Sequence, residues 1–196
     1  MVTMTCIAVL GLVSAQTCQS IRLQVITMMP LPDRVLEVVV DEAAAIWAPY
    51  GVTVTATRQL VRPEGSQDEW MTLIIRDAPQ PEPGRALRGG RRQLAGLAFT
   101  AGVPGNLMTA SWSVARDMAA GTGLPRTAGS DRLAARLLGR AVAHEIGHYV
   151  LRTRDHAPRG LMRAAFTVRE VLGDGSDLFL EPAQIRALRS RPPGAE

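Results

Sequence analysis

Apolar and polar side chains alternate along Ile21-Arg22-Leu23-Gln24-Val25, the period-2 signature of a half-buried strand, and Pro30 and Pro32 close the run. The period then becomes helical. Val35, Leu36, Val39, Val40, Ala43, Ile46 and Trp47 recur at spacings of three and four, with Asp33 placed to cap the start and Pro49 and Gly51 to end it. Residues 52–57 and 70–76 predict two more strands, and the helix between the first two strands is long enough for a parallel crossover. Two further strands are expected at 94–99 and 107–112, joined by a turn at Val103-Pro104-Gly105-Asn106. The stretches 78–92 and 121–130 read as loops. A helix capped by Ser130 or Asp131 follows, with Leu133, Leu137, Ala141, His144 and His148 along one face. Residues 182–189 predict a terminal helix, and Pro192-Pro193-Gly194 a frayed tail. Strands joined through helices place the chain in the α/β (α+β) class.

With 196 residues, 46% hydrophobic and 20% charged, the chain has material for one domain with a real core. All 22 basic residues are arginines, scattered among acids, and the net charge is only +4. Their main cluster, Arg85, Arg88, Arg91 and Arg92, lies in a Gly/Pro-rich stretch. With 4% aromatic residues there is no basic, aromatic-interleaved face, so nucleic acid is not an expected partner. No stretch is long and apolar enough to predict a membrane span. Residues 2–13 are mostly apolar and end in Val13-Ser14-Ala15, which predicts a signal peptide over 1–15, a single domain over 16–196, and a secreted or periplasmic protein. Cleavage after Ala15 would remove Cys6 and leave Cys18 without an intrachain partner.

The candidate chemistry is concentrated in His144-Glu145-Ile146-Gly147-His148. Histidines four apart on a helix lie one turn above the other, so both imidazoles can reach one metal ion, with Glu145 beside them as a general base. The chain has three histidines, and the third, His156, lies within the same short stretch. Two ligands do not close a zinc site. His156, Asp155 and Glu170 are the candidates for the third, and neutral imidazole makes His156 the favoured one. A zinc-stabilised binding module without catalysis is the alternative of another class.

The run from His144 to Met162 resembles the metzincin clan of zinc metalloproteases, matrixins and their bacterial relatives, in which H-E-x-x-H is followed by a third histidine and a methionine turn. The pieces here are His144-Glu145-Ile146-Gly147-His148, His156 and Gly160-Leu161-Met162. The resemblance implies a twisted, mostly parallel mixed sheet, an active-site helix and a small irregular C-terminal subdomain over 151–196. It also implies zinc held by His144, His148 and His156, Glu145 as catalytic base, Met162 beneath the metal, and a peptide or protein substrate paired with an edge segment near residues 96–99. The chain departs from the family pattern at the helix exit. Leu151 stands where the family has glycine and Arg154 where it has the third histidine, and arginine offers no lone pair to a metal.

Overall fold

Alternation in the first strand sends Ile21, Leu23 and Val25 to one side, and the core forms on that side. The computed structural model describes residues 19–59, 69–77, 107–121, 128–164, 166, 170 and 172–190, and in it strand β1 (Gln19–Thr27) buries these three side chains. Helix α1 (Asp33–Trp47) turns Val35, Val39, Ala43 and Trp47 inward along one stripe. Its cap is Pro32 and not Asp33. The extended Pro32 backbone (ψ 140°) starts the helix one residue earlier, and its carbonyl takes the amides of Val35 and Leu36. Asp33 becomes the first helical residue and pairs with Arg58 at 2.7 Å on the surface. A short 3₁₀ turn (Ala48–Tyr50) follows α1, and Gly51 at φ 75° ends it, a left-handed conformation that suits glycine.

Strands β2 (Val52–Thr57), β3 (Glu69–Arg76) and β4 (Leu107–Ser111) complete a sheet of order β2-β1-β3-β4. Every neighbouring pair is parallel, which the crossover length predicts for β1 with β2. The mixed character expected from the family likeness would rest on residues 94–99, which lie outside the described residues, as do 1–15, 78–92 and both cysteines. One sheet face joins Ile21, Leu23, Val54, Met71, Leu73, Ile75 and Met108 to the helical core. The other face is mixed at β1 and β3: Ile26 stands opposite Ile74, Thr72 donates to Gln24, and the Arg22 guanidinium lies over the Trp70 ring at 5.7 Å.

The strand expected to reach residue 112 stops at Ser111. Its hydroxyl accepts the Val114 amide at 3.4 Å and so caps a helix that the sequence reading lacks, α2 (Trp112–Ala120). Helix α3 (Ala128–Leu151) begins earlier than expected, which puts Ser130, itself buried, in its first turn and leaves Asp131 beside Arg116 at 3.6 Å instead of at a cap. Helices α1 and α3 approach to backbone contact at Gly139, where a β-carbon would stand 2.6 Å from the Val39 carbonyl oxygen and 2.8 Å from Glu42 Cβ. The expected terminal helix is present as α4 (Pro182–Arg189), opened by a reciprocal Glu181–Gln184 capping box. No helix among the described residues is long and apolar enough to cross a membrane.

Candidate metal centre

Residues 137–148 of α3 are buried on every side, the state of a helix enclosed by its own domain. Polar side chains in such a helix need partners. Arg140, 3% exposed, donates to Glu42 Oε1 at 2.6 Å and to the Gly173 carbonyl at 2.9 Å, while Arg136 holds Glu42 Oε2 at 3.0 Å. Burial alone would push the Glu42 carboxyl up, but the two guanidinium groups outweigh it and hold the group below its ordinary range.

His144 and His148 are each 9% exposed and face inward with the apolar stripe. His144 Nδ1 lies 2.7 Å from the Leu161 carbonyl and His148 Nδ1 lies 2.8 Å from the Thr153 carbonyl. A carbonyl only accepts, so both Nδ1 atoms carry the proton and both Nε2 atoms present bare lone pairs. Those two Nε2 atoms stand 3.0 Å apart, and with neither protonated no hydrogen bond joins them. Two nitrogens bound tetrahedrally to one zinc at about 2.0–2.1 Å are separated by about 3.3 Å, so a cation suits the arrangement better than vacuum or water does. Burial drives the His144 pKa down to about 4 against the pull of its Leu161 hydrogen bond, and lowers that of His148 as well, which keeps both rings neutral and ready to ligate.

His156 completes the group. Its ring stacks on His144 (centroids 5.4 Å, 12° between planes) and meets His148 edge-on at 5.0 Å, and the ligand atoms of the three histidines all lie within 4.8 Å of one another. Asp155 and Glu170 stay outside this group. The Asp155 amide bonds the Thr153 hydroxyl, and Glu170 forms an ion pair with Arg163. Glu145, 6% exposed, lies between the two helical histidines in sequence; its carboxylate has no hydrogen-bond partner among the described residues, and burial raises its pKa to about 8.

The path from His148 to His156 avoids glycine by placing Arg152 in the left-handed region at φ 49°. The Thr153 amide returns to the His148 carbonyl and the Arg152 amide to the Tyr149 carbonyl, both at 3.2 Å, which is the Schellman ending of a helix with arginine at the glycine position. The turn out of the helix therefore comes one residue after Leu151, and this accommodates the longer path to His156. A left-handed arginine costs about 1–2 kcal/mol, and the extra freedom of glycine at the same place favours the unfolded chain by about 0.5–1 kcal/mol. Arg152→Gly accordingly raises unfolding stability by roughly 0.5–1 kcal/mol, checked by urea titration; a loss of stability would mean the arginine side chain contributes more than its backbone costs.

The motif pattern does not carry the packing of Met162 against Gly147 or the Phe166 ring beside His144. A β-carbon on Gly147 would stand 2.2 Å from Met162 Sδ and 3.4 Å from the Trp47 ring, so the motif glycine is the recess into which the methionine fits. Met162 itself is fully buried. Phe166 stands edge-on to His144 at 6.0 Å, and the Arg163 guanidinium lies 5.6 Å from that phenyl ring. The family likeness is not accompanied by a match elsewhere: no protein-family model, no curated protein and no solved structure matches this chain.

Proposed function

We propose that this chain is an exported zinc endopeptidase of metzincin type, with His144, His148 and His156 as ligands and Glu145 as catalytic base. The observation that carries the reading is the convergence of three imidazoles, with the buried Glu145 next in sequence to the first of them. Zinc is the ion that three neutral imidazoles suit, and when bound it supplies a Lewis acid for a peptide carbonyl and a water acidified to a pKa of about 7.

The chain's own groups do the rest. Leu161 and Thr153 carbonyls fix the tautomer of His144 and His148 so that each ring points Nε2 into the site. Burial raises the Glu145 pKa in the metal-free chain, and a dication held by the three histidines would lower it again toward the ionised carboxylate that a base must be. Glu145 takes the proton of the attacking water as the C–O bond forms at the peptide carbonyl, then releases it to the amine nitrogen as the C–N bond breaks. Burial of His144, Glu145 and His148 keeps the ligands neutral and limits competing hydration. Export rests on the 1–15 pattern in the sequence.

The decisive experiment is metal analysis joined to digestion of a broad peptide library. Purified protein is expected to hold one zinc per chain and to cleave internal peptide bonds, with cleavage lost to a chelator and restored by zinc. A protein that holds zinc and cleaves nothing belongs to the non-catalytic class instead.

A further inference from the structure

The corner between α1 and β2 carries side chains that reach the metal centre from far away in the chain. Trp47, fully buried, donates its indole N–H to the carbonyl of Ala143, the residue before the first histidine, at 3.0 Å. Three residues on, the Tyr50 hydroxyl accepts the Leu180 amide at 2.8 Å, and the two rings meet edge-on at 6.0 Å. The strand-like segment around Leu180 is itself tied to the methionine turn. The Leu161 amide donates to the Phe179 carbonyl at 2.7 Å, and Gly160, at φ 75°, comes so close that a β-carbon would stand 2.2 Å from the same oxygen. Leu161 then offers its own carbonyl to His144 Nδ1 at 2.7 Å.

We propose that Tyr50 is a positioning residue for the His144 imidazole, acting through Leu180, Phe179 and Leu161. The chain of contacts runs Tyr50 hydroxyl, Leu180 amide, Phe179 carbonyl, Leu161 amide, Leu161 carbonyl and His144 Nδ1; three hydrogen bonds link it, the planar Phe179–Leu180 peptide unit joins the first two and the Leu161 backbone, through its Cα, joins the last two. Trp47 anchors the same corner to the backbone of α3, so His144 is held through its main chain from one side and its ring from the other. A carbonyl that sets an imidazole's orientation is only as fixed as the segment that bears it. Tyr50 fixes that segment.

The inference rests on the metal-centre reading, and the test separates the two. Zinc affinity is measured by competition with a chromophoric chelator for the wild-type protein, Tyr50→Phe and Val54→Ala, with the metal-free melting temperature of each. Val54 is a buried β2 residue outside this chain of contacts and serves as the control for general destabilisation. Tyr50→Phe weakens zinc binding about tenfold, the low end of what losing a group behind a ligand costs, while Val54→Ala changes it less than about twofold whatever its melting temperature. In the zinc-loaded protein the His144 Nδ1–H resonance moves in Tyr50→Phe and stays in Val54→Ala. Wild-type affinity in Tyr50→Phe, or an equal loss in Val54→Ala, overturns the inference and leaves the metal centre standing. A wild-type protein that binds no zinc removes the metal centre and this inference with it. Should Tyr50→Phe fold poorly, hydrogen exchange on the wild type decides, because coupling is reciprocal: zinc loading slows exchange of the Leu180 amide, and an unchanged rate there overturns the proposal.

Discussion

On the proposed endopeptidase reading, Glu145→Gln lowers peptide hydrolysis by roughly two to four orders of magnitude, the range that general acid–base groups contribute, without loss of bound zinc. Glutamine preserves the shape of the side chain in a site where Glu145 is 6% exposed, so ligand geometry is undisturbed and only the proton acceptor is lost. Zinc content and cleavage rate measured on the same sample check both halves; wild-type turnover in the variant would assign the base elsewhere. The substitution has a second signature in the metal-free protein. Burial holds the Glu145 pKa near 8 against an ordinary 4.5, so between these values the folded chain keeps a proton that the unfolded chain has released, and stability falls as pH rises. His144 works the other way. Its folded pKa is about 4 against 6.5, so the unfolded chain takes up the extra proton and stability falls as pH drops through that window. His148, whose pKa burial also lowers, acts in the same sense as His144; above about pH 7 both rings are neutral in either state, so the glutamate dominates and wild-type metal-free protein loses on the order of 1 kcal/mol between pH 7 and pH 8, a loss that is absent from Glu145→Gln. Thermal melts of chelator-treated protein across this range read it directly.

His156→Ala weakens zinc binding by more than about a hundredfold, beyond the cost of losing a supporting group, whereas Glu170→Ala leaves it within about twofold of wild type. The contrast follows from position. His156 lies with both helical imidazoles in one group, and Glu170 has its carboxylate committed to Arg163. Removing the glutamate frees a partly exposed arginine and takes no donor from the metal. Isothermal titration on both variants distinguishes them. Zinc lost with Glu170 and kept without His156 would move the third ligand and exclude the metzincin arrangement.

The elements that periodicity reveals are those whose cause is local. Residues 21–25 alternate because one sheet face is buried, and Val35, Val39, Ala43 and Trp47 recur because one helix stripe is. The histidine pair is legible for the same reason, since its spacing is the helix repeat itself. Helix α2 does carry a helical stripe, Trp112, Ala115, Met118 and Ala119, but it is only nine residues long and follows a strand without a loop, so nothing marks the change of period. The helix exit was open in the sequence because no glycine marks it; a left-handed arginine looks like any other arginine until its neighbours' hydrogen bonds are seen. The fit of Met162 into Gly147 and the tie from Tyr50 to Leu180 join residues far apart in the chain, and no local pattern encodes such a pair. Asp33, Ser130 and Asp131 have the residue types of caps but do not cap, because a cap depends on which residue first leaves helical geometry, and Pro32 and the earlier start of α3 decide that.

The contact at Gly139 has a mechanical meaning. Because α1 and α3 touch there backbone to backbone, the two helices meet at a fulcrum, with Trp47 on one arm and His144 on the other. From Gly139 to His144 is about 7–8 Å along a rigid helix at 1.5 Å per residue, so any wedge at the pivot is carried to the imidazole as a tilt. Random substitution and selection for hydrolysis would therefore spare Gly139 as strictly as a ligand, although it bears no chemistry. Tolerance to change in this chain follows leverage on the three imidazoles as much as proximity to them.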